Sequence, residues 1–293
     1  ESVVMRILDK ASVVLDFKLL GFSPRTLKRF LEVLNLPHGI ILVTGPTGSG
    51  KTTTLYTALQ TINTPERKIL TVEDPVEYQL EGINQIQVKP QIDLTFANAL
   101  RAIVRQDPDV IMIGEMRDLE TAGIAVQSAL TGHLVLSTLH TNDAAGSVTR
   151  LLDMRVDDYL LTSTINGILA QRLVRLLCTR CREPYPALPE LVEDLHLHRY
   201  SDNSGTIILH KPVGCEHCGG TGYRGRAAIM EFLVMNDPLR RMVLKHADAG
   251  ELQTEAQRGG MDTMYEDGLR KAVAGLTTIE EVLRVTSQQE QEA

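Results

Sequence analysis

The sequence predicts an α/β domain, a parallel sheet covered by helices on both faces, followed by a small cysteine-bearing module and a C-terminal helical subdomain. Three observations carry this. From Gly39 to Asp153, short apolar segments alternate with longer ones whose apolar residues recur every three or four positions, the pattern of buried strands and amphipathic helices in turn. The first apolar segment runs into Gly45-Pro46-Thr47-Gly48-Ser49-Gly50-Lys51-Thr52, which fits the phosphate-loop signature at every position. All four cysteines fall in two C-x2-C pairs, Cys178/Cys181 and Cys215/Cys218.

In order along the chain, Glu1–Asp9 reads as a strand that starts with no preceding turn, so a part of the protein before it is expected to be absent. Residues 1–22 read as the remnant of an N-terminal domain with its linker, Leu20–Ser23 being the connection. Ser23 and Pro24 start a helix, a hydroxyl N-cap followed by proline at the first helical position, and Leu27, Phe30, Leu31 and Leu34 form its apolar face. Residues 23–177 read as the α/β domain. Its strands are expected at Ile40–Thr44, Lys68–Glu73, Ile83–Val88, Val110–Gly114 and Leu134–Thr138. Its helices are expected at Lys51–Thr61, Thr95–Arg105, from the Asp118 cap to Leu130 with a stop at Gly132, and at Asn142–Asp153. A further helix over Tyr159–Leu177 is expected to close it. Residues 178–222 read as the cysteine module, with a short helix at Pro189–Leu195. Residues 223–293 read as the C-terminal subdomain: a strand at Arg226–Val234, then helices at Pro238–His246, Ala249–Arg258, Thr263–Ala274 and Ile279–Thr286. The last helix carries a Thr278/Glu281 capping box. The polar tail Ser287–Ala293 is expected to be disordered.

Composition narrows the function. A chain of 293 residues suits about two domains. The net charge is −7, aromatics make up 4% and tryptophan is absent. That argues against a protein that coats nucleic acid or stacks bases. Apolar runs stop at about four residues, far short of the ~20 needed to span a membrane. No signal peptide is visible, so the cysteines read as metal ligands or redox groups rather than structural disulfides.

The chemistry starts at the phosphate loop. Its glycines let the backbone wrap a triphosphate with N–H groups inward. Lys51 supplies charge to the β/γ-phosphates, Thr52 reaches Mg2+, and the following helix aims its positive end at the anion. Val110–Ile113, Gly114 and Glu115 form an apolar strand ending in a carboxylate, with glycine in the usual aspartate slot; Glu115 would hold Mg2+ or its water. Glu73, Asp74 and Glu77 cluster at the end of another strand, where Glu73 or Glu77 would orient the attacking water. His133 and His140 flank one strand and would sense the γ-phosphate. Arg101, Arg105, Arg117 and Arg150 lie in the same half and suit trans-acting fingers in a ring. Each C-x2-C pair bends into a knuckle, and the four thiolates of Cys178, Cys181, Cys215 and Cys218 complete a tetrahedral, structural Zn2+. Thiol redox chemistry is the other use of such pairs.

Together these motifs resemble the type II secretion ATPases, part of a superfamily shared with the type IV pilus motors. The resemblance covers nearly the whole chain: the phosphate loop, TVEDPVEY (Thr71–Tyr78), RQDPDVIMIGEMRDLETA (Arg105–Ala122), TGHLVLSTLHTNDA (Thr131–Ala144), AQRLVRLLC (Ala170–Cys178), GYRGR (Gly222–Arg226) and GLTTIEEVLRVT (Gly275–Thr286). It implies a RecA-like P-loop ATPase domain followed by a tetracysteine zinc module. It implies a hexamer that hydrolyses ATP with Mg2+ to power pseudopilus assembly. Gly114 before Glu115 is that family's ordinary pattern. The resemblance assigns Glu77 to water activation beside Glu73 and Asp74, Glu115 to the metal, and His133 and His140 to a histidine box. Arg101, Arg105, Arg117 and Arg150 match arginines at the nucleotide or subunit contact, and Arg6 one on the preceding domain. It further implies a cytoplasmic protein, peripheral at the inner membrane of a Gram-negative bacterium. There it would dock on the cytoplasmic domain of an inner-membrane platform protein through a preceding N-terminal region. No nucleic-acid partner is expected. Pilus assembly motors are the close alternative; a RecA-like nucleic-acid motor and a non-hydrolysing nucleotide scaffold are the more distant ones.

Overall fold

The computed structural model describes residues 15–201 and 205–287. The strand expected at Glu1–Asp9, Arg6 within it, and the tail beyond Ser287 lie outside the described residues. Two helices, α1 (Phe17–Leu20) and α2 (Pro24–Leu34), precede β1 (Gly39–Thr44) and α3 (Lys51–Ile62). Then come β2 (Ile69–Glu73), β3 (Asn84–Gln87), α4 (Phe96–Ile103), β4 (Val110–Ile113), α5 (Leu119–Leu130), β5 (Leu134–Leu139) and α6 (Ala144–Asp153). A short α7 (Asp158–Thr164) leads into β6 (Ile165–Leu177). The cysteine module holds β7 (Glu183–Pro186), α8 (Pro189–Asp194) and β8 (Ile208–Lys211). After it run β9 (Tyr223–Val234), α9 (Asp237–Val243), α10 (Ala249–Arg258), α11 (Met264–Val273) and α12 (Ile279–Thr286).

The main sheet has seven strands in the order β3-β2-β4-β5-β1-β6-β9. All neighbours are parallel except β6 and β9, which are antiparallel. Both faces are covered, as the apolar strands require. Phe30 and Leu34 of α2 and Leu55 and Leu59 of α3 pack on one face. Leu100 of α4, Val126 of α5, Val148 and Leu151 of α6, and Leu252 of α10 pack on the other.

The helix expected over Tyr159–Leu177 is corrected: only its first turns are helical, and the rest is the thirteen-residue strand β6. Paired with β1 on one side and β9 on the other, β6 is buried on both faces, so the alternation that marks a strand is erased. The adjacent polar residues Gln171 and Arg172 imitate a helical polar stripe. Gly167 shows why this is a close-packed strand: a Cβ there would stand 2.8 Å from the Phe232 ring. Strand β9 closes the main sheet rather than opening the helical subdomain, so residues 178–222 are an insertion between two paired strands.

Helix starts follow local chemistry. Ser23 accepts from the Thr26 N–H at 3.1 Å, Asp118 from Thr121 at 2.7 Å and Asp143 from Gly146 at 2.6 Å. The capping box expected at Thr278/Glu281 is only half formed. Thr278 accepts from the Glu281 N–H at 3.2 Å, but the Glu281 carboxylate faces Arg175 at 2.8 Å and Arg284 at 2.7 Å. The reciprocal box is instead at Thr263/Glu266. The insertion builds a small core from Ala187, Val192, Leu197 and Leu209, completed only by Leu269, Ala272 and Ile279 of the two last helices.

Candidate functional site

An open cleft of about 890 Å³ lies along the C-terminal edge of the parallel sheet. Strand order explains what meets there. Across that edge stand the residues following β2 (Asp74, Glu77), then Glu115 after β4, Thr138 and His140 at β5, and the phosphate loop after β1; Leu173 of β6 and Arg226 of β9 follow. This is the edge at which parallel α/β sheets bind ligands.

The loop leaves β1 at Gly45 with φ 140°, where a Cβ would come within 2.3 Å of the Gln171 carbonyl. Gly50 caps α3 in the left-handed region and offers no side-chain acceptor to the first N–H groups of the helix, so they are available to an anion. Lys51 Nζ donates to the carbonyls of Gly45 at 2.7 Å and Pro46 at 3.2 Å. Burial holds its pKa below the ordinary range, while Glu115 pulls the other way. Pro46 is part of the loop but does not line the cleft; Thr47, Gly48, Ser49, Gly50, Lys51 and Thr52 do.

Glu115 sits opposite, 2.6 Å from Arg117 and 3.4 Å from His140 Nε2. Strand β5, not β4, is the immediate neighbour of β1, so Glu115 reaches toward the loop across the end of β5. Glycine at position 114 suits a tight corner, since a Cβ would lie 3.3 Å from Glu73 Cα and the Val72 carbonyl. Thr138 Oγ1 donates to the Gly114 carbonyl at 2.7 Å and fixes this corner. Burial, then the Lys51 charge, lower the His140 pKa, and Glu115 opposes them. The net shift favours the neutral ring at pH 7.

The two candidate water-orienting acids differ in surroundings. Glu73 is only 3% exposed and accepts from the Tyr56 hydroxyl, Thr71 Oγ1 and Gln85 Nε2. It also lines the cleft, but both its oxygens already accept from these donors. Glu77 lines the cleft, and its N–H donates to the Tyr56 hydroxyl at 3.4 Å.

His133 is not brought to the cleft of its own chain. It precedes β5, so it lies at the opposite edge of the sheet, a strand's length (about 20 Å) from His140. There its Nδ1 meets the Ser128 carbonyl at 2.8 Å and Thr131 Oγ1 at 3.2 Å. Arg117 lines the cleft. Arg101, paired with Glu120, and the exposed Arg105 and Arg150 do not line the cleft of their own chain.

Two groups at the site were not singled out from sequence, Arg226 in the cleft and Gln171 behind the phosphate loop. Arg226 was quoted only as part of a motif. Gln171, 1% exposed, donates to the Ser49 carbonyl at 2.7 Å and accepts from Thr54 Oγ1 at 2.8 Å, bracing the phosphate loop from β6. The polar pair inside an apolar run was its signal. Gln171→Leu leaves the Ser49 carbonyl of the loop and the Thr54 hydroxyl of α3 without this partner, at a cost of about 1–3 kcal/mol each. A roughly tenfold weaker nucleotide affinity is the expected outcome, measured by equilibrium titration.

Away from the cleft, the four cysteine sulfurs lie within 4.8 Å of one another. Cys178–Cys215, Cys181–Cys218 and Cys215–Cys218 are 3.9, 3.8 and 3.7 Å apart. A tetrahedron with Zn–S of about 2.3 Å has edges of about 3.8 Å, so the set fits Zn2+ with no open position. The N–H groups of Cys215 and Gly222 aim at Cys218 Sγ, each at 3.2 Å, as suits a thiolate. His217 faces Arg224 instead.

A family described as "Type II/IV secretion system protein" matches residues 1–284. The type II secretion system protein E of Xanthomonas campestris pv. campestris is 68% identical over 98% of this chain and 50% of its own length. The type IV pilus assembly ATPase PilB of Thermus thermophilus is 51% identical over 98% of this chain and 32% of its own. The chain therefore spans half of the first relative and about a third of the second. Among solved structures, the pilus retraction motor PilT with bound ADP superposes with a TM-score of 0.68. It is 30% identical, over 98% of this chain and 70% of that one.

Proposed function

The chain belongs to the type II/IV secretion system protein family, and we propose that it is the Mg2+-dependent ATPase core of a type II secretion motor. The observation that carries this is the meeting of the phosphate loop, Glu115 and Glu77 at one edge of the sheet. The relative at 68% identity, a type II secretion system protein E, favours secretion; the PilB relative at 51% keeps a pilus assembly motor as the second reading.

ATP would lay its phosphates on the N–H groups from Gly45 to Thr52, with the Lys51 ammonium leaving the Gly45 and Pro46 carbonyls for them. Thr52 and Glu115 would hold Mg2+, which neutralises charge developing on the phosphates. Of Glu73 and Glu77, both at the cleft, Glu77 orients the attacking water, while Glu73, its oxygens engaged by Tyr56, Thr71 and Gln85, anchors the turn. His140, kept neutral, has a single N–H to give, either to Glu115, which its Nε2 faces, or to a γ-phosphate oxygen. Arg117 balances Glu115. Arg101, Arg105 and Arg150 face outward, as residues serving a neighbouring subunit would. Arg6 would belong to the domain that closes over the nucleotide.

Six such chains would form a ring, cytoplasmic and peripheral at the inner membrane, docked through a preceding N-terminal region on a platform protein. Among the described residues no helix is long and apolar enough to cross a membrane. The net charge of −7 supports a protein partner over nucleic acid.

If arginines come partly from neighbours, isolated chains hydrolyse slowly. Finger arginines are worth about 10³–10⁵ in rate. Phosphate release measured across protein concentration, with sedimentation in parallel, should rise with self-association. A flat specific activity while a ring forms would contradict the trans-acting arginines.

A further inference from the structure

The loop from His140 into α6 is tied at successive residues to three different parts of the protein. The Thr141 N–H donates to Thr44 Oγ1 at 2.9 Å, at the root of the phosphate loop. Asn142 Oδ1 accepts from the Arg172 guanidinium at 3.0 Å. The Ala144 N–H donates to Glu231 Oε1 at 2.7 Å. Arg172 and Glu231 are 5% and 2% exposed, and each has a second end elsewhere. Arg172 also donates to the Val285 carbonyl of α12 at 2.7 Å. Glu231 Oε2 accepts from the Met264 N–H, the first of α11, at 3.3 Å, and from Gln253 of α10 at 3.4 Å.

The two side chains share a sheet face. Ala170 pairs with Glu231 and Arg172 with Ile229, and paired residues of adjacent strands point the same way. Gln171, between Ala170 and Arg172 on β6, points to the other face and braces the phosphate loop. Strand β6 thus holds the two nucleotide-facing loops, one from each side. Polar side chains buried this deeply carry a desolvation cost that their hydrogen bonds must offset, so stability alone does not account for two of them at one loop.

We propose that Arg172 and Glu231 are positioning residues: they suspend the His140 loop from helices α10–α12, so that a shift of His140 at the nucleotide moves the C-terminal helical layer. The part about nucleotide rests on the ATPase reading; the suspension itself does not.

Amide hydrogen exchange on the full chain tests both. Without nucleotide, Asn142→Ala and Glu231→Gln should each speed exchange at residues 141–146 about tenfold with the global unfolding midpoint nearly unchanged. Asn142→Asp, which keeps an acceptor for Arg172, should behave as the parent. With Mg2+ and ATPγS, the parent should gain protection at 45–52, at 140–146, and also at 260–266 and 280–287. In Asn142→Ala the last two gains should fall at least about threefold while protection at 45–52 persists. Unchanged exchange at 141–146 in both nucleotide-free variants overturns the suspension. Distal protection undiminished in Asn142→Ala overturns the transmission. Absence of protection at 45–52 in the parent instead refutes the nucleotide reading, and the nucleotide-free arm then decides the suspension alone.

Discussion

Glu77→Gln is expected to retain ATP affinity within a few-fold and to lose about 10²–10⁴ in kcat, the usual span for removing a positioned general base. Glu115→Gln is expected to lose turnover to a similar extent and to weaken Mg–ATP binding as well. The difference follows from surroundings. Glu77 lines the cleft, with its backbone held by Tyr56; acting on water alone, it touches no ground-state ligand, and its loss falls on the transition state. Glu115 lies between Arg117 and His140 and is proposed to hold the metal. Neutralising it would then remove a metal ligand, free Arg117, and lower the His140 pKa further, because Glu115 is what raises it. Nucleotide affinity with and without Mg2+, together with single-turnover hydrolysis, separates the two. Parental hydrolysis by Glu77→Gln would pass the role to Glu115 or to Glu73, which lines the cleft but has its oxygens engaged by Tyr56, Thr71 and Gln85.

The second large effect is expected at the cysteines. The protein should carry one zinc per chain, and Cys178→Ser or Cys215→Ser should release it. The insertion has few buried side chains of its own and borrows Leu269, Ala272 and Ile279 to close its core. In small modules of this kind metal binding supplies the folding free energy, about 10–16 kcal/mol in zinc-finger peptides. The variant insertion should therefore unfold and be cut by protease between Cys178 and Cys218. The β6–β9 hairpin, whose pairing runs from Gly167 to Leu177, should hold the main sheet together. Metal analysis and limited proteolysis check this. Protein purified without chelators and free of zinc would contradict it.

How far each feature was legible depended on how local its signal was. The phosphate loop and the C-x2-C pairs declare their chemistry within a few adjacent residues. The alternation from Gly39 to Asp153 gave a readable sheet because each strand there is short and flanked by polar turns. Strand β6 was misread because, unlike the equally buried but short β1, β2, β4 and β5, it runs for thirteen residues with Gln171, Arg172 and Arg175 at a helix-like spacing, and with it went Gln171, whose role exists only through β6 lying beside β1. The histidines illustrate direction. His133 and His140 look symmetric about one strand in sequence, yet a parallel strand has one ligand edge, and only the residue following it lies there. At Thr278/Glu281 the local pattern was right for a box, but Arg175 from β6, distant in sequence, took the carboxylate.

The central claim is that the cleft turns over ATP. It is tested most directly by phosphate release from Mg–ATP by the parent chain and by Lys51→Ala at the same protein concentration. The account predicts steady release that requires Mg2+ in the parent and falls to background in Lys51→Ala. Equal release by the two proteins, or parent activity indifferent to Mg2+, would contradict it.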